Sequence, residues 1–166
     1  MKIYLGLKCK VGTSKKVIKK LLALNVPSGD SLLLFGHIDI LIEFRDVTDL
    51  EEYIDQWLTP ISRIGEGEEL VTEMLTLIVG KEGPSIREIP FAVIFLSVQP
   101  QHFETVRIGI QSVPEVLSAD LVFGPYDIIC PVRAKNMADL EQVVLSVQTS
   151  VSGIKRTLTC LVKEVY

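Results

Sequence analysis

The strongest constraint on this chain is a heptapeptide that occurs twice. Leu34-Phe35-Gly36-His37-Ile38-Asp39-Ile40 is matched by Val122-Phe123-Gly124-Pro125-Tyr126-Asp127-Ile128, 88 residues further on. A fixed period of this kind means one supersecondary unit used twice, so the fold to be found is that of half a chain. The same offset lays Ile3 to Lys10 over Phe91 to Val98, and Leu24-Asn25-Val26-Pro27 over Ser112-Val113-Pro114-Glu115. Allowing two extra residues in the second copy, Asp49-Leu50-Glu51 meets Asp139-Leu140-Glu141. The copies then end in Leu75-Thr76-Leu77-Ile78-Val79 and Leu158-Thr159-Cys160-Leu161-Val162. Repeat one is expected over 1–79 and repeat two over 91–166. Between them 80–90 is expected as a linker, because Gly80-Lys81-Glu82-Gly83-Pro84-Ser85 has no apolar periodicity.

Within repeat one, Ile3 to Val11 alternates as a strand does. Thr13 or Ser14 is placed to cap a helix whose apolar face carries Val17, Ile18, Leu21, Leu22 and Leu24, and Pro27 and Gly29 are expected to end it. Leu32 to Phe35 and Ile38 to Phe44 form a hairpin across Gly36-His37. Thr48 and Glu51 have capping-box spacing, and Leu50, Tyr53, Ile54, Trp57, Leu58 and Ile61 recur at helical intervals behind them. Leu70 to Val79 is the last strand. Repeat two has the same order, with Phe103, Val106 and Ile110 on its first helix and Met137, Leu140, Val144 and Val147 on its second.

Strand, helix, strand, strand, helix, strand is the split βαβ, or ferredoxin-like, arrangement, an α+β fold with two helices on one face of an antiparallel sheet. Runs such as Leu32-Leu33-Leu34-Phe35 and Val93-Ile94-Phe95-Leu96 are apolar at successive positions, which predicts burial of both sheet faces. The expected solution is two ferredoxin-like βαββαβ repeats with their sheets face to face, an intrachain pseudo-dimer of the α+β barrel type. Pro131 falls inside a central strand, where it removes a ladder hydrogen bond, so a bulge or an early end to pairing is expected at Cys130-Pro131.

The charge balance argues against nucleic acid as a main partner. The chain carries 17 Lys and Arg against 21 Asp and Glu, a net charge of −4, and phosphate neutralisation needs concentrated cations. Lys15, Lys16, Lys19 and Lys20 share one side of the first helix and read as a solvated face. No apolar run reaches the roughly 20 residues of a membrane span, and no signal-peptide pattern precedes the first strand, so a cytoplasmic protein is expected. Cys9, Cys130 and Cys160 are odd in number and far apart, which offers neither a disulfide framework nor a metal spacing.

Several of these residues together resemble a known family. Gly124-Pro125-Tyr126-Asp127 in the hairpin, Asp139-Leu140-Glu141 at a helix start, Gly153-Ile154 before the last strand and Arg156-Thr157-Leu158-Thr159 within it are similar to the effector-binding and dimerisation domain of the leucine-responsive (Lrp/AsnC) regulators. The resemblance covers nearly the whole chain as two such domains, with repeat two the better match. It implies pairing through sheets and a small-molecule effector such as an amino acid near the Gly-x-x-Asp hairpin. The helix-turn-helix that reads DNA in that family has no room before a strand starting at Met1 or Lys2, so direct DNA binding is not expected. Repeat one departs from the pattern at His37-Ile38 and by about seven extra residues before its last strand, among them Glu66, Glu68 and Glu69.

The candidate ligand contacts are Gly124, Tyr126 and Asp127, with Gly36, His37 and Asp39 as their counterparts. Each glycine most simply suits a tight turn, and each Asp reads first as an acceptor of turn N–H groups and second as a contact for a ligand's ammonium. No nucleophile-base pair, phosphate loop, metal set or paired acid and base has a supporting context, so neither catalysis, a cofactor nor a metal is expected. The resulting expectation is a regulatory module that binds a metabolite and acts by self-association or with other regulator chains. The alternatives are a ligand-free assembly or adaptor protein and a small αβ-barrel enzyme.

Overall fold

The computed structural model describes residues 1–27 and 29–166. The chain divides into two compact units, Met1–Ile78 with Lys163–Tyr166, and Val79–Val162. This differs from the division at 79 and 91 in two ways. The last four residues belong with the first unit, where Tyr166 and Ser31 exchange backbone hydrogen bonds of 2.8 and 3.2 Å. Residues 80–90 are no loose linker. The Gly83 N–H donates to the buried Asp120 carboxylate at 2.7 Å, and Arg133 pairs with Glu88 at 2.6 Å. A Cβ at Gly83 would collide with Ser118 and stand 2.7 Å from the Ala119 nitrogen, so glycine alone fits there.

Unit 1 contains β1 (Ile3–Cys9), α1 (Ser14–Ala23), β2 (Ser31–Phe35), β3 (Ile40–Phe44), α2 (Leu50–Tyr53), a π-helical stretch (Ile54–Leu58), α3 (Thr59–Ser62) and most of β4 (Val71–Lys81). Its antiparallel sheet runs β4-β1-β3-β2. Unit 2 contains β5 (Ala92–Val98), a 3-10 turn (Pro100–His102), α4 (Phe103–Gln111), β6 (Asp120–Phe123), β7 (Ile128–Val132), α5 (Met137–Ser150) and most of β8 (Ile154–Val165). Its antiparallel sheet runs β8-β5-β7-β6. Each unit is thus α+β in the predicted element order.

One face of each sheet meets its helices. Ile3, Leu5 and Leu7 of β1 and Ile40, Ile42 and Phe44 of β3 pack against Val17, Ile18, Leu21, Tyr53 and Ile61. In unit 2, Ala92, Ile94, Leu96 and Val98 pack with Val106, Ile110, Leu140, Val143 and Val147. The opposite faces are buried too, at Tyr4, Leu34, Leu41 and Leu77 in unit 1 and at Val93, Phe95, Val122 and Ile129 in unit 2. Helical periodicity overstated some faces: Leu22, Leu24, Leu50, Ile54 and Met137 are exposed. The helix ends also shift. Asn25 (φ 61) ends α1 ahead of Pro27, the left-handed cap to which Asn is suited. Asp49, not Thr48, caps α2 by accepting the Glu51 N–H at 2.8 Å. Asn136 caps α5, with Asp139 three residues inside it, so Asp49 and Asp139 are not equivalent positions.

Pro131 leaves the β5 ladder intact: β7 pairs with β5 from Ile128 to Val132 without a bulge. Its carbonyl accepts from Leu117 at 2.9 Å, so its missing N–H faces away from β5, where the β6 ladder has already stopped at Ile129.

The bulges lie elsewhere, at Lys8/Cys9 against β4 and at Ser97/Val98 against β8. In each the extra residue is on the partner strand, Thr72 in β4 and Lys155 in β8. On the other side of each first strand, past its last pair with β3 or β7, a carboxylate takes the free backbone N–H. Asp39 accepts the Cys9 N–H at 2.8 Å, and Asp127 accepts the Val98 N–H at 2.7 Å. Each Asp also donates its own N–H to the same first strand, at Leu7 (2.9 Å) and Leu96 (2.8 Å). These contacts correct the strand alignment by one residue, because Cys9 matches Val98 and Ile3 matches Ala92, not Phe91. A one-residue slip exchanges the two faces of a strand, and β5 hides it by being apolar on both.

Gly153, which precedes β8, has φ 103, and a Cβ there would stand 2.8 Å from the His102 Cβ. Replacing Asp127 by Ala should leave the buried Val98 N–H unpaired and cost about 1–3 kcal/mol, with Asp127→Asn milder because an acceptor remains; loss of hydrogen-exchange protection at Val98 checks it. Gly153→Ala should cost about 1–3 kcal/mol through strain at positive φ, read as a lowered urea midpoint.

Candidate functional site

The two hairpin tips are built alike. Leu34 donates to the Asp39 carbonyl at 2.8 Å and Val122 to the Asp127 carbonyl at 2.9 Å, closing each turn. Gly36 and Gly124 have φ 153 and 156. Gly36, His37, Gly124 and Pro125 are exposed, while Asp39 and Asp127 are half-buried against their first strands. Of the residues expected to meet a ligand, Tyr126 departs furthest. It is buried, with its ring 5.2 Å from that of Phe95, because alternation along the turn sends it inward. What each tip presents outward is glycine backbone and a neighbouring aromatic, Phe35 or Phe123, each over 60% exposed (62% and 63%). The Lys163 ammonium lies 5.0 Å from the Phe35 ring centre. The two phenylalanines stand in the repeated heptapeptide, and their position beside a turn glycine was the signal for them.

A cavity of about 430 Å³ opens in unit 1, where the end of β3 turns into α2. Its wall is aromatic: the Phe44 ring centre lies 5.3 Å from both Tyr53 and Trp57. Its rim is acidic, with Asp30, Glu43, Asp46, Asp49 and Glu52, and Arg45 is the one cation among the described lining residues. The Glu43 N–H donates to the Asp30 carbonyl at 2.8 Å, so the two acids sit opposite one another across the β2-β3 pair. Burial raises the Asp30 carboxyl above its ordinary value, while Arg45 opposes the rise and Glu43 adds to it. Trp57 and Tyr53 read from the sequence as core residues. Tyr53 is, whereas the π-helical turn leaves Trp57 partly exposed at the cavity.

The remaining reactive groups are quiet. Burial raises the Cys9 thiol to about 11, helped by Asp39 and opposed by a hydrogen bond from Ser14, and burial also drives the Cys130 thiol up. A thiol so held stays protonated near neutrality and is a poor nucleophile. His37 belongs to unit 1 and His102 to unit 2. The acidic loop meets the basic helix face through Lys16 and Glu68 at 2.8 Å, both about half exposed, and Lys16 lowers the Glu68 pKa. In unit 2, Glu104 is held down to about 2 by hydrogen bonds from Arg107 and Lys81. Among the described residues no three His, Cys, Asp or Glu side chains gather as a metal site, and no helix is long and apolar enough to cross a membrane.

Solved structures place these units among known folds. The siroheme decarboxylase NirDL is similar over 99% of this chain and 71% of its own, at 6% identity and TM-score 0.63. A monooxygenase-like protein from Listeria innocua covers 99% of this chain and 95% of its own, at 9% identity and TM-score 0.52. At such identities the likeness is one of fold. A protein from Thermus thermophilus is 28% identical over 47% of this chain and 98% of its own, with TM-score 0.44. No curated protein sequence matches this chain. Residues 91–166, which span the Gly-x-x-Asp hairpin of unit 2, Gly153 and β8, match the family described as Lrp/AsnC ligand binding domain.

Proposed function

We propose that this protein is a non-catalytic regulatory module that binds a small metabolite through unit 2, with amino acids as the first candidates, and acts by associating with other chains. The observation that carries the reading is the match of residues 91–166 to a domain whose family name is ligand binding. Asp127 already serves Val98, so the groups left for a ligand at that hairpin are the exposed backbone of Gly124 and Pro125 and the unused acceptor capacity of the Asp127 carboxylate. Gly36, His37 and Asp39 form the corresponding tip of unit 1. Unit 1 as a second copy of this domain, and the intrachain pseudo-dimer expected from that duplication, are part of the same proposal and rest on the sequence repeat. The net charge of −4 favours small-molecule and protein partners over direct DNA contact.

Enzymes with this fold, the siroheme decarboxylase NirDL among them, are similar at a level that concerns fold alone. The raised thiols favour the regulatory reading over cysteine chemistry on this chain.

A thermal-shift screen over the amino acids should find at least one that stabilises the protein, by about 2.7 kcal/mol at a hundred times its dissociation constant. Amide shifts in NMR spectra should then map it to Gly124 and Asp127. Absence of any shift across amino acids and common metabolites would leave the ligand-free adaptor as the better account.

A further inference from the structure

We infer that the cavity between β3 and α2 in unit 1 is a second ligand site, built for a small organic cation carrying a guanidinium or primary ammonium group beside an apolar body. The site owes nothing to the hairpin tips, and its inference stands apart from the reading of unit 2.

The acids come first. Asp30 and Glu43 face each other across β2 and β3, an arrangement that places like charges opposite and destabilises a strand pair unless a cation lies between them. The protein supplies two of its own to Glu43: the Lys2 ammonium lies 3.6 Å from Glu43 Oε1, with both side chains mostly buried, and Arg45 meets the same oxygen from the cavity rim. Arg45 Nε lies 2.6 Å from Glu43 Oε1, yet its side chain is 59% exposed where that of Glu43 is 16% exposed. The carboxylate is thus a fixed part of the wall, while the guanidinium is an outward, flexible group whose surface ion pair is worth little. Arg45 shows what the site recognises and is readily displaced by a ligand presenting the same group. Asp46 adds a carboxylate that, among the described residues, has no ion pair within 4 Å, held at the rim by a left-handed backbone, φ 55.

The aromatic wall supplies the second half. Trp57 lies partly exposed on the π-helical stretch, beside Phe44. Trp is the ring that best attracts a cation, and π-helical turns recur at functional sites. A metal ion would want three or more ligating side chains gathered together, and among the described residues no such group occurs. An anion would be repelled by five carboxylates. The volume of about 430 Å³ is that of a small-molecule pocket.

Trp57 is the only tryptophan in the chain, so its fluorescence reports this cavity and nothing else. The probes are phenethylguanidine and phenethylamine, with 3-phenylpropionate as the anionic control of equal size. The two cations should each give a saturable change that weakens at high salt, and the anion none. Asp30→Asn should weaken binding about tenfold and Asp46→Asn about threefold, whereas Arg45→Ala, which removes the internal competitor, should tighten it. Asp46 is exposed, so its variant tests the charge even where Asp30→Asn fails to fold. The inference is overturned by equal responses to cation and anion, by no saturable response to either cation, or by unchanged affinity in the two Asp variants. None of these results bears on amide shifts at Gly124, which test the unit 2 reading separately.

Discussion

The carboxylate of the Gly-x-x-Asp turn is the interaction on which both units depend. Each first strand is paired on both sides, and near its end the hairpin strand, β3 or β7, stops short and leaves one N–H without a ladder partner. Asp39 and Asp127 accept those N–H groups and donate their own to the same strand two residues earlier. A buried donor left open would cost more than most single contacts contribute. The same two bonds fix the register of the hairpin against the central strand, and register decides which side chains face the helices. The motif is therefore a structural clamp before it is anything else, and it leaves the glycine backbone of each tip exposed.

Burial on both faces is the second constraint. Both sides of the strands are buried, and the helices cover only one. That leaves helices some freedom at their outer turns. In unit 1 the stretch from Leu50 to Ser62 uses it, widening to a π-helix at Ile54–Leu58. A π turn rotates the residues beyond it out of helical phase. Trp57, still packed against the core, is left partly exposed as the wall of a cavity, and the acidic turn before the helix closes the rim.

Charge follows the same division of labour. The basic face of α1 is answered within its own unit, Lys15 by Glu164 and Lys16 by Glu68. In unit 2 the Lys81, Glu104 and Arg107 cluster lies at α4, and the buried Asp120 is tied to Gly83 and Ser118. These groups anchor the segment that joins one unit to the next in sequence. The cavity acids differ in that Asp30 and Asp46, among the described residues, form no ion pair within 4 Å, although Arg45 acts on Asp30 from further off.

By itself the sequence determined the element order, the buried Val17, Ile18 and Leu21 of α1 and Val106 and Ile110 of α4, and the two hairpins, because period and turn chemistry are local properties. It also carried the family match of residues 91–166. Only the tertiary structure decided the rest. The one-residue register between β1 and β5 was hidden because a strand apolar on both faces has no alternation to read. The inward turn of Tyr126 and the attachment of 80–90 to Asp120 depend on partners far away in sequence. The Asp30, Glu43 and Trp57 cavity is assembled from three elements whose separate patterns give no sign of one another, since a pocket exists only where distant segments meet.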